Sequence, residues 1–274
     1  MSNTRVAQQV FVIGCPRSGT SALSWALAEH PKMWTSAESD FMHQMFKGNL
    51  LFDVYKNSMD RPDTGWLKKN GVTYREFASY FGVGIDAMFR SRSRGLIWVD
   101  QTPGHTLVAP VLHDMFPDAK FIHIVRDGKR VVNSMLNSGF QNIGFKMKWT
   151  TDFEQACNTW STYVKRGSKF VDENPEVAIQ IKNEDMSKDT ETTFSIVQKF
   201  LGLDVADGPS KFISSSRLNS SFDKGFKVNK KKCKSVDDNS FTSIDWTENE
   251  IALFDSVCLE MTEKLGYQTT AINT

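Results

Sequence analysis

The chain has 274 residues, 40% of them hydrophobic and 24% charged, and a formal net charge of +1. That size and balance suit one globular domain over residues 1–274, and near-neutral charge excludes nucleic acid as the main partner. No run of about 20 apolar residues is present, and the polar start has no signal-peptide apolar region, so no membrane span and a cytoplasmic location are expected.

Residues 10–13, Val-Phe-Val-Ile, read as a buried strand. A loop with Gly14 and Gly19 follows, and apolar spacing predicts a helix over 20–29. A short strand is expected at 33–36, a helix at 38–46, and an irregular excursion over 47–73, where Asn, Asp, Gly and Pro are frequent. Residues 74–89 predict a helix interrupted near Gly82-Val83-Gly84. Further strands are predicted at 96–100, 120–125 and 177–181. The helices between and after them are placed after residue 105 through Met115, at 129–137, 149–171 and 191–201. Residues 207–243 read as mostly loop. A last helix runs to Leu265, with Thr247 as N-cap and Glu250 three residues on.

Strands alternating with helices predict an α/β fold of three layers, P-loop-like, with a central parallel sheet flanked by helices. The site of such a sheet lies beyond the strand carboxyl ends. That gathers four segments: 17–21, 100–105, 126–134 and 183–185. The four cysteines, Cys15, Cys157, Cys233 and Cys258, have no metal-type pairing, so a reduced setting and no metal are expected.

Strand, glycine-bounded loop and helix in that order form a phosphate cradle, because loop N–H groups and the helix N-terminus converge on an anion. Gly14 and Gly19 match the spacing G-x-x-x-x-G-K-S/T, but Thr20 stands in the lysine position and Arg17 lies inside the loop. Without that lysine, the usual contact to β- and γ-phosphates is missing. The expected ligand is therefore a phosphate other than ATP or GTP. Arg126, at a strand end, and Ser134, about 10 Å further along the next helix, can hold a second phosphate between a forked donor and a hydroxyl.

Two motifs carry a family resemblance. Cys15-Pro16-Arg17-Ser18-Gly19-Thr20-Ser21 resembles the 5′-phosphosulfate loop of the sulfotransferases that use 3′-phosphoadenosine 5′-phosphosulfate (PAPS). Ile124-Val125-Arg126-Asp127-Gly128, with Ser134 eight residues after the arginine, resembles the family's second signature. His30-Pro31 and Arg17 itself are similar to the bacterial, Golgi and tyrosylprotein branches. Three positions depart from the family pattern: Gly128 for proline, Gln101 for the lysine of Asp-Lys-Thr-Pro, and Asn183 for the tyrosine of Tyr-Glu-Asp-Leu.

The resemblance implies transfer of a sulfuryl group from PAPS to a hydroxyl or amine of a small-molecule or carbohydrate acceptor, releasing 3′-phosphoadenosine 5′-phosphate (PAP). It implies Arg17, Ser18, Gly19, Thr20 and Ser21 on the 5′-phosphate, Arg126 and Ser134 on the 3′-phosphate, and Arg17 assisting the leaving group. The base is Glu38, at the spacing of the tyrosylprotein branch, or His105, on a strand-exit loop and able to act near neutral pH. Lys224 and Lys227 are placed in a basic lid. The competing expectation is a P-loop kinase for a nucleoside or small metabolite, which shares the strand–loop–helix opening.

Overall fold

A computed structural model describes residues 6–61, 65–138, 147–215 and 246–268. Five parallel strands form one sheet: β1 (Gln9–Gly14), β2 (Met33–Thr35), β3 (Ile97–Asp100), β4 (Lys120–Val125) and β5 (Ala178–Lys182). Their order across the sheet is β2-β3-β1-β4-β5. From β1 the chain moves out to β2 and returns to β3; it then crosses over to β4 on the other side. The loops after β1 and β4 therefore diverge, and a crevice opens between them.

β1 is central, and covered on both faces. Val10 and Val12 point into a layer with Leu23 and Leu27 of α1 (Thr20–Ala28). Phe11 and Ile13 point the other way, onto Trp98, Leu112 and Phe121. Each of these side chains is buried, which is why the strand reads as an unbroken apolar run rather than an alternating one. A third apolar layer closes the carboxyl end, where Val131 and Val132, in the helix after β4, meet Trp160 and Phe254 of two later helices.

The strands and most helices fall within a few residues of the expected positions, and three expectations are corrected. The first concerns α2, which starts only at Phe41 and ends at Phe46, so Glu38 lies outside it, in the connection from β2. The second is the supposed excursion at 47–73, which contains α3 (Leu50–Met59) and α4 (Trp66–Lys69). Third, α5 (Tyr74–Ser93) is continuous through its glycines. Gly82 is buried there because any side chain would collide with the Met115 carbonyl of α6 (Ala109–Met115). It marks a close helix–helix approach instead of a break.

The remaining helices are α7 (Gly128–Leu136), α8 (Phe153–Glu173), α9 (Asn183–Lys188), α10 (Thr190–Phe200), α11 (Gly208–Ser215) and α12 (Glu248–Lys264). Thr247 and Glu250 form the expected reciprocal cap of α12. Among the described residues no helix is long and apolar enough to cross a membrane.

Candidate active site

The phosphate loop is pinned at its base. The Gly14 N–H donates to Thr106 Oγ1 at 2.8 Å, and the Thr106 hydroxyl donates back to the Gly14 carbonyl at 3.1 Å. Beyond that clamp the chain turns sharply, with the Ser18 N–H donating to the Cys15 carbonyl at 3.0 Å. Arg17 takes a φ of +73°, which is costly for a residue with a Cβ, and Gly19 takes +100°. Gly19 is needed for a second reason: a Cβ there would collide with the Asn183 amide. α1 then starts with no side-chain cap, so its first N–H groups face the loop mouth.

Three of the expected phosphate-binding residues meet in this crevice from positions far apart in the chain. The Arg17 Nε–H donates to Ser134 Oγ at 3.0 Å. Arg126 donates from Nη1 to the Arg17 carbonyl at 3.2 Å. The two expected phosphate sites are thus neighbours sharing one arginine.

Two side chains outside both motifs hold the Arg126 turn in place. Trp160 Nε1–H donates to the Arg126 carbonyl at 3.1 Å. Glu184 Oε1 accepts the Asp127 N–H at 3.1 Å, and its Oε2 accepts the Tyr267 hydroxyl at 2.9 Å. The replacement of the family's proline by Gly128 has a physical reason. A Cβ at Gly128 would stand 2.9 Å from Trp160 Cε2, so glycine is what lets the indole lie under the turn. No local pattern in the sequence marks Tyr267.

Positive charge is concentrated here, partly withdrawn from solvent. Burial lowers the pKa of both the Arg17 and Arg126 guanidinium groups from the ordinary arginine value. At Arg126 the Glu184 carboxylate opposes that fall, while Arg130 and Arg17 add to it. The Ser18 hydroxyl, in the loop between them, is fully buried and has no hydrogen-bond partner among the described residues. Two partly buried guanidinium groups, an orphaned hydroxyl and a helix N-terminus together fit a bound phosphate. Ser21, the last loop residue, donates its hydroxyl to Gln101 Oε1 at 3.2 Å. Thr20 is buried beside Gly14 with its methyl group inward.

The two candidate bases are placed differently. Glu38 is exposed in the connection before α2. His105 is fully buried in the 3-10 turn Pro103–Leu107, its ring edge-on to Phe11 at 5.7 Å between centroids. Burial pushes its pKa down to about 3, so the ring is neutral. It stands 3.7 Å from Asp100, whose carboxyl burial pushes up to about 7, with the Ser39 hydroxyl opposing that rise. The structure therefore does not bring His105 to the crevice. Lys224 and Lys227 lie outside the described residues. Among those residues no cluster of three or more His, Cys, Asp or Glu is arranged to hold a metal.

His123, in β4, has a structural setting with a measurable consequence. Its ring is fully buried against Gly167, with Nδ1 3.0 Å from Gln180 Oε1, which also accepts the Ser168 hydroxyl. Burial pushes its pKa down to about 4. The unfolded chain takes up this proton near 6.5 and the folded chain does not, so stability falls as pH drops from about 6.5 to 4. His105 acts in the same direction, and Asp100, which keeps its proton to higher pH when folded, acts against it. The slope left to His123 is worth at most about 3 kcal/mol. Urea titrations at pH 4.5 and 7 are expected to show it, and His123→Gln is expected to flatten it. An unchanged slope in that variant rejects the assignment.

Residues 9–207 match the sequence profile of the Sulfotransferase family, and the chain belongs to that family. It is similar to protein-tyrosine sulfotransferase A of Caenorhabditis elegans, 24% identical over 162 residues, which are 59% of this chain and 40% of that protein. The curated relatives it matches are longer proteins, of which the chain covers between 40% and 66%. Its fold is that of the sulfotransferase domain from the curacin biosynthetic pathway, with a TM-score of 0.58 at 16% identity, covering 96% of this chain and 99% of that one. A mouse sulfotransferase complexed with PAP shares the fold less closely, with a TM-score of 0.50 at 16% identity over 93% of this chain and 84% of that one.

Proposed function

We propose that the chain transfers a sulfuryl group from PAPS to an acceptor hydroxyl, with Glu38 as general base. The observation that carries this reading is the junction of Arg17, Ser134 and Arg126 around the orphaned Ser18 hydroxyl. It is a cradle for two neighbouring phosphates rather than for a triphosphate with its metal.

PAPS, when bound, supplies the sulfuryl group on its 5′-phosphate. Ser18, Gly19, Thr20 and Ser21 hold that phosphate through loop N–H and hydroxyl groups. Arg126 and Ser134 hold the 3′-phosphate. Arg17 stabilises the negative charge that grows on the leaving phosphate oxygen, and its half-buried setting makes that interaction stronger than in water. Glu38 takes the acceptor proton from the open side of the crevice. Gln101, in the position of the family's lysine, adds no charge; it fixes Ser21 instead.

The acceptor class follows from less. A small-molecule or carbohydrate hydroxyl remains our reading, and the relatives named for tyrosine sulfation add a phenol to the panel to be screened.

Thermal shift separates this reading from a kinase. PAP at 100 times its Kd is expected to stabilise the protein by about 2.7 kcal/mol, and ATP with Mg²⁺ much less. Stabilisation by ATP with Mg²⁺ and none by PAP rejects the reading.

A further inference from the structure

Three consecutive residues, the last of β3 and the two that follow it, hold two parts of the site at once. Side chains along an extended segment alternate in direction. Asp100 and Thr102 reach the connection that carries Glu38, while Gln101 reaches Ser21 in the phosphate loop at 3.2 Å. On the Glu38 side, the Ser39 hydroxyl donates to Asp100 Oδ2 at 2.6 Å. Thr102 Oγ1 accepts two successive N–H groups, those of Ser39 at 3.0 Å and Asp40 at 3.2 Å. Asp100 and Thr102 are both buried, so these bonds are partly shielded from water.

The turn so held is a strained one. Asp40 has a φ of +45°, in the left-handed region, and the Phe41 N–H closes a tight bond back to the Ser39 carbonyl. Backbone in that region persists only where its surroundings over-determine it. Here that means one hydroxyl oxygen taking two adjacent N–H groups. Were the turn released, residues 38–40 could join α2 as its first turn, as the sequence pattern favours. Glu38 would then swing with the helix.

We infer that Thr102, with Asp100, is a positioning residue that seats the Ser39–Asp40 turn and so fixes Glu38 relative to the phosphate loop. This inference rests on Glu38 being the base. Gln101 completes the bracket, since the same segment grips the loop that holds the leaving phosphate. Thr106, a few residues on, clamps the loop's other end at Gly14. Base and phosphate site thus share one rigid mount, and misplacement by about 1 Å is enough to cost up to a hundredfold in rate.

The test is Thr102→Val, which keeps the shape and removes the acceptor oxygen. Its kcat for transfer from labelled PAPS to p-nitrophenol, or to a tyrosine-bearing peptide, is expected to fall about tenfold to a hundredfold. The thermal shift with PAP is expected to stay at the wild-type value, and Thr102→Ser to restore kcat. In a Glu38→Gln background, Thr102→Val is expected to add less than about twofold, because both act through one group. Ser39→Ala, which cuts the bond to Asp100, serves if Thr102→Val does not fold. Amide exchange at Ser39 and Asp40 reads the seat without any acceptor, and protection there is expected to be lost in Thr102→Val.

The outcomes separate. A wild-type rate in Glu38→Gln removes the base reading and this inference with it. A slow Glu38→Gln beside a wild-type kcat in Thr102→Val removes the inference alone. So do fully multiplicative losses in the double variant, or unchanged amide protection.

Discussion

Glu38→Gln is expected to lower sulfuryl transfer by about 10² to 10⁴-fold, the usual contribution of a positioned general base. PAP affinity is expected to change little, because an ionised carboxylate has no donor to offer a phosphate. The substitution keeps size and hydrogen bonding but removes the capacity to accept a proton. Glu38 is exposed and glutamine keeps its size, so the melting temperature is expected to change little. Burst and steady-state kinetics with labelled PAPS measure both quantities. A wild-type rate in this variant leaves the acceptor proton to another group, and the buried, neutral His105 is poorly placed to be that group.

Arg17→Ala is expected to cost about 10² to 10³-fold in kcat, the scale of losing one preorganised donor at a developing negative charge. Unlike Glu38→Gln it is also expected to weaken PAP, since the Arg17 side chain holds Ser134, while the carbonyl that accepts from Arg126 is kept. Alanine is the informative replacement. It retains the Cβ and hence the cost of the positive φ, so backbone strain is the same in both proteins. Arg17→Lys keeps the charge but not the fork, and is expected to recover only part of the loss. Isothermal titration with PAP and single-turnover rates check the two effects. Wild-type values for both would remove Arg17 from the mechanism.

The phosphate site was open to sequence reasoning because its demands are local. The loop's sharp turn needs glycine at Gly19, the close approach of Ile124 needs it at Gly14, and a strand must precede the loop and a helix follow. Arg126 and Ser134 were legible because a strand end and a helix face fix their spacing within nine consecutive residues. Their union with Arg17 followed from topology, since parallel strands send their carboxyl ends to one side of the sheet.

Other features had no local signal. Helical periodicity over 38–46 was genuine, and a helix starting at 38 was its natural reading. Tertiary hydrogen bonds from Asp100 and Thr102 outcompeted that local preference and held Ser39 and Asp40 out of α2. Gly82 looked like a helix break, and only the backbone of α6 lying against it explains its presence. His105 sits in the right loop for a base, but whether its ring faces the crevice or Phe11 depends on the packing of β1.

The sequence by itself pointed to the α/β class, the glycine-bounded loop between β1 and α1, the family, and the end of the sheet where Arg17, Arg126 and Ser134 meet. The family rests on the resemblance of two motifs, and the others on chain-local geometry: strand period, helix period, and backbone angles that few residues tolerate. Only the tertiary structure decided where Glu38 stands, that His105 is buried, and that Trp160, Glu184 and Tyr267 brace the Arg126 turn. These depend on contacts between segments far apart in the chain, whose side chains have no common period until the sheet brings them together.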